Sequence, residues 1–272
     1  MTEFSDCACT VDEYGTPTSF CRAHAAELEQ RTRNWYQARC GFATASKAFD
    51  IIAKTQKGTP TAKRVNYLFH VVAERLTGAP QGLRFVKSLD ERADLEPEAR
   101  TVYELYFNRE VTTVGFIHHP TIAFVGASPD GYIDSDGLLE IKALDASTQA
   151  KLWLGGQTAK EVLEEYIPQV DLGMACTQKT WCDFISWCPF MKDQELRLWR
   201  RTIPRDESRI IRIESAVQEF LAEVIEKIEQ VKKGALGLDD DPLLAQITGS
   251  LDLLAGDNTV VPIKARRRTA VE

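Results

Sequence analysis

The stretch 126–144, GASPDGYIDSDGLLEIKAL, constrains the fold of this chain more than any other segment. Its Asp134-Ser135-Asp136-Gly137 segment separates two runs of strand-forming residues, and an Asp-Gly pair in that setting marks a tight turn. The chain is expected to fold back there as a β-hairpin. Counting away from the turn brings Asp130 on the outgoing strand opposite Glu140 on the returning one. Side chains two apart on a strand share a face, so Glu140 and Lys142 point together while Ile141 points to the opposite, buried side. Two converging carboxylates suit Mg²⁺, a hard cation held by one or two carboxylates, substrate phosphate oxygens and water. A neighbouring ammonium orients an attacking water or neutralises charge that builds on a phosphorane. The chemistry implied is phosphodiester hydrolysis. An acidic turn followed by Glu-x-Lys also occurs on plain solvated hairpins, so the spacing taken alone leaves both readings open.

The 272 residues suffice for one large domain or a domain with extensions, and 44% hydrophobic with 27% charged residues is an ordinary globular composition. No run of about 18 apolar residues occurs, and the opening MTEFSDCACT lacks the basic and apolar regions of a secretion signal. The expected location is the cytoplasm, with no membrane association. Seven cysteines in such a chain read as reduced thiols, Cys176, Cys182 and Cys188 among them. A net charge of -7 excludes a generally basic nucleic-acid coat, but its distribution is uneven. Between residues 31 and 64, Arg31, Arg33, Arg39, Lys47, Lys54, Lys57, Lys63 and Arg64 face one acid, Asp50. That segment reads either as a phosphate track or as a solvated helix face followed by a loop.

Periodicity predicts helices near 44–54, 63–77, 90–108, 158–177 and 208–233, and strands near 111–118, 121–133, 138–144, 180–187 and 196–202. Thr44 or Ser46 is placed to cap the first helix, and Gly78 to close the second. Pro168 breaks the fourth near Tyr166-Ile167, which puts Gln169 at the start of a fresh helix, a position suited to a polar group aimed at a phosphate. In the last helix, Val217, Phe220, Leu221, Val224, Ile225 and Ile228 form a core-packing face. Near the N-terminus, Cys7, Cys9, Cys21 and His24 offer four soft ligands to Zn²⁺, against the alternative of unliganded thiols. Beyond Gly234, an acidic run, a short apolar segment and a basic cluster form a tail, read as disorder or as a docking segment. The expected organisation is an extension over 1–32, a catalytic domain over 33–234 and a tail over 235–272.

Arg39, Glu96 and the Asp130, Glu140, Lys142 trio stand in an order that resembles the lambda exonuclease family, or YqaJ-like viral recombinases, within the PD-(D/E)XK nucleases. The resemblance covers roughly residues 33–230. WYQARCGFATAS (35–46) resembles the family's W-x-x-x-R-x-G-x-(I/V)-T-A-S opening, LEPEART (95–101) its helical acidic motif, SPDG (128–131) and LEIK (139–142) its core, and YIPQV (166–170) its Gln-bearing helix. It implies an α/β fold with a PD-(D/E)XK restriction-endonuclease-like core, a mixed β-sheet flanked by helices. It further implies that Asp130, Glu140 and the main-chain carbonyl of Ile141 ligate two Mg²⁺ ions, replaceable by Mn²⁺, and that Lys142 positions the attacking water. Glu96 would serve a second metal or its water shell, and Arg39, Ser46, Ser128 and Gln169 would hold a terminal 5′-phosphate. The activity implied is 5′-to-3′ digestion of one strand of linear duplex DNA to mononucleotides, leaving 3′ overhangs. A homotrimer, a single-strand annealing partner and a phage or prophage origin in a bacterial host complete what the family suggests. An endonuclease, or a non-catalytic DNA-binding adaptor on the same fold, are the competing readings. The chain departs from the family at Arg92-Ala93-Asp94, where a glycine is usual, and at Gln56, where a basic residue is expected near the point of strand separation.

Overall fold

The computed structural model describes residues 9–11, 17–81 and 95–237. Its first half contains β1 (Thr10–Val11), β2 (Pro17–Ser19), α1 (Arg22–Glu27), α2 (Arg33–Ala38), β3 (Ala43–Thr44), α3 (Ala48–Ile52), α4 (Ala62–Thr77) and α5 (Glu96–Phe107). There follow β4 (Val111–Thr112), β5 (Ile117–His118), β6 (Val125–Ala127), β7 (Gly131–Ile133) and β8 (Gly137–Ala143). The chain then runs through α6 (Ala146–Leu154), α7 (Gly156–Glu164), α8 (Ile167–Thr177), β9 (Trp181–Trp187), β10 (Leu198–Pro204) and α9 (Glu207–Gly237). A five-stranded sheet has the order β10-β9-β8-β7-β4, parallel between β8 and β9 and antiparallel elsewhere. A three-stranded sheet, β3-β6-β5, pairs β3 parallel and β5 antiparallel to β6.

The expected hairpin forms, with Gly131 opposite Leu139 and Ile133 opposite Gly137. The positive φ of its turn falls on Asp134, at 51°, and not on the glycine. Gly137 instead opens β8, where an added Cβ would lie 2.3 Å from the Trp181 ring. Along β8 the alternation is as the sequence requires. Leu139 and Ile141 join Ile133, Ile185 and Trp187 under Ala99 and Tyr103 of α5 in one buried cluster. Each such aliphatic side chain contributes about 1.5–3 kcal/mol by leaving water, so this face fixes the register that turns Glu140 and Lys142 to the other side.

Two predicted strands each divide between the sheets. The backbone donors of Gly115 and Phe116, between β4 and β5, go to the Ala26 and Ala25 carbonyls at 2.7 Å instead of to a strand. A Cβ on Gly115 would lie 2.4 Å from the Ala25 carbonyl oxygen, so a glycine is needed for that approach. Residues 121–124 form bends and a turn, and residues 128–130 join β6 of one sheet to β7 of the other. The first predicted helix likewise splits, into a single 3₁₀ turn over Ala45–Lys47 and α3, and Thr44 makes no side-chain capping bond to it. Gly78 closes α4 in the left-handed conformation, at φ 67°. Helix α8 begins at Ile167 with Pro168 in its first turn, after the break that the proline predicts. Helices α1, α2, α6 and the opening of α7 are not among the predicted elements.

Helix α8 is nearly all buried, and its Asp171 receives a forked pair of hydrogen bonds from Arg209 of α9, at 2.7 and 2.9 Å. In α9, Val217, Phe220, Leu221 and Val224 are buried, and Phe220 stacks on Tyr67 of α4 with centroids 5.3 Å apart. Ile225, expected on the same face, opens a second compact unit and is exposed. The described part of that unit is the end of α9, where Gln230 donates to Glu226 at 2.7 Å. Residues 235–237, the start of the predicted tail, continue α9, whereas residues 238–272 and the departure at Arg92-Ala93-Asp94 lie outside the described residues. No described helix is long and apolar enough to cross a membrane.

Candidate active site

The ladder of the hairpin runs one step beyond β7. The Asp130 N–H donates to the Leu139 carbonyl at 3.1 Å, and its carboxylate Oδ2 accepts the Ile141 N–H at 2.6 Å. This second bond takes the place of a strand partner and fixes the Asp130 carboxylate level with Glu140. Glu140 is 6% exposed, and its Oε1 meets Lys142 Nζ at 2.6 Å and the Gln169 amide Nε2 at 2.5 Å. Lys142 Nζ lies 5.6 Å from the Tyr166 ring centroid.

Burial, with Glu140 and Glu96 nearby, lifts the Asp130 carboxyl well above the usual carboxylate range against the opposing Lys142 charge and Ile141 N–H. Burial also raises Glu140, though Lys142 holds it down in part. For Lys142, burial alone would favour the neutral amine, but Glu140 and Asp130 outweigh it and raise its pKa. The three form a unit with excess negative charge, which a cation would relieve.

Glu96 stands in the first turn of α5 and pairs with Arg31 and, at 2.9 Å, with Arg100. Arg31 has a φ of 67°, in a region that non-glycine residues seldom enter. Among the described residues, Glu96, Asp130 and Glu140 do not bring their oxygens within 4.8 Å of one another as a trio. Glu96 therefore stands apart from the pair and reaches it here through its charge.

Arg39 follows α2, whose start is capped by the Thr32 side chain accepting the Trp35 N–H at 3.3 Å. The next turn passes through Gly41, at φ 77°, which is held from α4 on both sides. Its N–H donates to Glu74 Oε2 and its carbonyl accepts from Arg75 Nε, both at 2.8 Å. The Arg39 guanidinium lies 3.9 Å over the Trp35 ring and makes no hydrogen bond or ion pair among the described residues. Burial lowers its pKa, opposed by Tyr67, Tyr36 and Glu74. The Trp35 indole N–H donates to Ser128 Oγ at 3.0 Å, and Ser46 Oγ lies 3.3 Å from Thr44 Oγ1.

All of these groups line one cavity of about 350 Å³: Arg39, Ser46, Glu96, Ser128, Asp130, Glu140, Lys142 and Gln169, with the Ile141 backbone. Gln169, expected beside Arg39, has its amide committed to Glu140. The cavity also includes Gln30, Arg31, Trp35 and Tyr166, none of them among the expected site residues. Arg31 and Trp35 carried a signal in hindsight, since both fall in or beside the basic segment and its Trp-x-x-x-Arg motif. Elsewhere in the basic segment, Lys47 pairs with Asp50 and Arg64 with Glu223. Lys54, Gln56 and Lys57 are exposed on a small turn closed by the bridge between Lys54 and Pro60. Of the four N-terminal soft ligands, Cys9, Cys21 and His24 come together away from the cavity, and Cys7 lies outside the described residues.

The YqaJ-like viral recombinase domain model matches residues 34–180, more than half of the chain. The chain belongs to the YqaJ-like viral recombinase family. Its fold is the mixed α/β architecture of the PD-(D/E)XK nucleases. A solved relative, the alkaline exonuclease LHK-Exo from Laribacter hongkongensis, is 36% identical with a TM-score of 0.67, over 76% of this chain and 100% of that one. A second structure of that exonuclease, in complex with dAMP, matches equally. A phage-related exonuclease from Haemophilus somnus 129PT shares the fold at 14% identity and a TM-score of 0.57, over 70% of this chain and 96% of that one. No curated protein sequence matches significantly.

Proposed function

We propose that this YqaJ-family chain is a Mg²⁺-dependent exonuclease that digests one strand of linear double-stranded DNA from its 5′ end. The products are mononucleotides and a duplex with a 3′ single-stranded overhang, the substrate for strand annealing. One observation carries the reading. A single cavity joins the Asp130, Glu140 and Lys142 unit to a guanidinium, that of Arg39, with no carboxylate partner among the described residues.

The donor set fits a hard divalent ion, because the buried Glu140 and the half-buried Asp130 hold raised pKa values beside each other and offer oxygen alone. Asp130, Glu140 and the Ile141 carbonyl would hold Mg²⁺, as two ions or with Mn²⁺ in their place, supplying Lewis acidity to the phosphate and acidifying water. Lys142, kept protonated by its carboxylate neighbours, orients the attacking water and offers charge to the phosphorane. Gln169 locks the Glu140 rotamer through its amide. Glu96, held by Arg31 and Arg100, adds negative charge at the edge of the site. On the other side, Arg39 presents forked, charge-assisted donors to a terminal 5′-phosphate, and the Ser46 and Ser128 hydroxyls fix its orientation. Trp35 holds both Arg39 and Ser128 in place. A homotrimer threaded by DNA and a single-strand annealing partner, in a phage or prophage setting in the bacterial cytoplasm, belong to the same reading, with residues 33–234 as the catalytic domain.

The test is Mg²⁺-dependent digestion of end-labelled linear duplexes bearing 5′-phosphate or 5′-hydroxyl ends, beside closed circles. Release of nucleotides from phosphorylated ends with circles intact is expected. Nicked circles would convert the reading to an endonuclease, and absence of any cleavage would favour a DNA-binding adaptor.

A further inference from the structure

Outside the cavity, the described residues gather three soft ligands. One donor atom each of Cys9, Cys21 and His24 lies within 4.8 Å of the other two. Cys9 Sγ is 3.3 Å from His24 Nδ1, and Cys21 Sγ is 3.5 Å from the same nitrogen. A tetrahedral zinc, with Zn–S near ~2.3 Å and Zn–N near ~2.0–2.1 Å, sets a sulfur about 3.5 Å from a nitrogen. The backbone N–H of Cys21 also donates to Cys9 Sγ at 3.2 Å, a bond that favours thiolate over thiol. Two local structures produce this convergence. Pairing of β1 with β2, Thr10 opposite Ser19, brings Cys9 beside Cys21, and the three-residue spacing at α1 puts Cys21 and His24 on one side. Strands of two and three residues and a helix of six have little stability of their own, so an added cross-link has a function there.

We propose that Cys9, Cys21 and His24 bind Zn²⁺, and that this ion clamps the N-terminal segment as one wall of the catalytic cavity. Cys7 supplies the fourth ligand in the sequence reading, but the proposal rests on the other three. The clamp has a continuous path. From α1, the Ala25 and Ala26 carbonyls accept the Phe116 and Gly115 N–H groups at 2.7 Å. A few residues on, Gln30 Nε2 donates to the Val114 and Pro129 carbonyls, both at 2.9 Å, next to Asp130. Arg31 then reaches Glu96. The family match begins at residue 34, so the zinc site and most of this wall precede it. The clamp is a positioning device for Gln30 and Arg31, with no part in bond breaking.

The experiment uses the full chain, purified with its thiols reduced, and measures metal content, the absorption of the Co²⁺-substituted protein and hydrogen exchange. One zinc per chain is expected, with thiolate-to-metal charge transfer on Co²⁺ substitution, which an all-oxygen site cannot give. Cys21→Ser and His24→Ala should lose the metal. Chelation of the zinc should speed exchange at the Gly115 and Phe116 amides by about tenfold or more while β8 and β9 stay protected. Failure of the wild-type chain to retain zinc from a zinc-supplemented preparation would overturn the site, as would equal zinc in the variants or a Cys9–Cys21 disulfide by mass. Zinc loss with unchanged exchange at Gly115 and Phe116 would overturn the clamp. None of these readouts uses cleavage of DNA, so the zinc site and the nuclease reading fail independently.

Discussion

Replacing Arg39 by methionine should stabilise the protein and blind it to the phosphate. Methionine keeps the length and the apolar stem of the side chain and removes the charge. In the folded chain that charge is half-buried with no ion pair among the described residues, and its compensation is the face of Trp35 at 3.9 Å. A cation–π contact at a half-exposed site is worth about 1 kcal/mol, whereas the several kcal/mol that full burial of an ion costs is reduced by the water the guanidinium still meets in the cavity. The net expected gain for Arg39→Met is about 0.5–1 kcal/mol, or roughly 1–4 °C in melting temperature. The functional loss runs the other way. A charge-assisted hydrogen bond contributes about 1.5–3 kcal/mol, so discrimination between 5′-phosphate and 5′-hydroxyl ends should fall by roughly tenfold to a hundredfold. Thermal melts without divalent cation, together with kcat/KM on the two kinds of end, read both quantities. A lower melting temperature with discrimination unchanged would refute the reasoning and make Arg39 a structural cation.

Lys142→Ala should lower kcat by about 10²–10³ while DNA binding is retained, since it removes charge stabilisation at the transition state; unaltered turnover in a binding-competent variant would reject that role. Gly137→Ala should cost about 1–3 kcal/mol, because its Cβ would stand 2.3 Å from the Trp181 ring, and a melting temperature equal to wild type would show that the hairpin yields there. For Glu74, burial would raise the carboxyl, but the hydrogen bonds from His70, the Gly41 N–H and the Gln81 N–H prevail and lower it. Its contribution is thus present above the unfolded carboxylate range, near pH 4.5, and is lost as acid titrates the folded protein through its lowered pKa. Glu74→Gln should therefore be less stable than wild type by about 1–2 kcal/mol at pH 7, and urea melts that show the same gap at low pH would contradict this.

The hairpin and the facing of Glu140 and Lys142 were readable because they depend on a two-residue period and a local turn. So was the break before α8, which follows from the missing N–H of Pro168. The division of residues 111–118 and 121–133 between two sheets was not readable, because the partners of Gly115 and Phe116 are carbonyls some ninety residues upstream. Helix α2 is too short to show a periodic pattern, and the boundary between α6 and α7 rests on two consecutive glycines, Gly155 and Gly156, both with positive φ. In the cavity, residue types pointed to charge but not to aim. Nothing local says that Gln169 reaches Glu140, that Arg31 crosses to Glu96, or that Trp35 sits between Arg39 and Ser128.

The short connection from β6 to β7 has a metrical consequence under the proposed assignment. Ser128, at the phosphate grip, and Asp130, at the point of scission, are separated by Pro129 alone, a residue whose ring fixes φ. Two residues span at most about 7 Å, no more than a single backbone repeat of a nucleic-acid strand. Grip and scission are therefore coupled by covalent bonds and not by the mutual placement of two domains. Under that assignment, the length of the connection and the length of the released product are one and the same constraint, set by three consecutive residues.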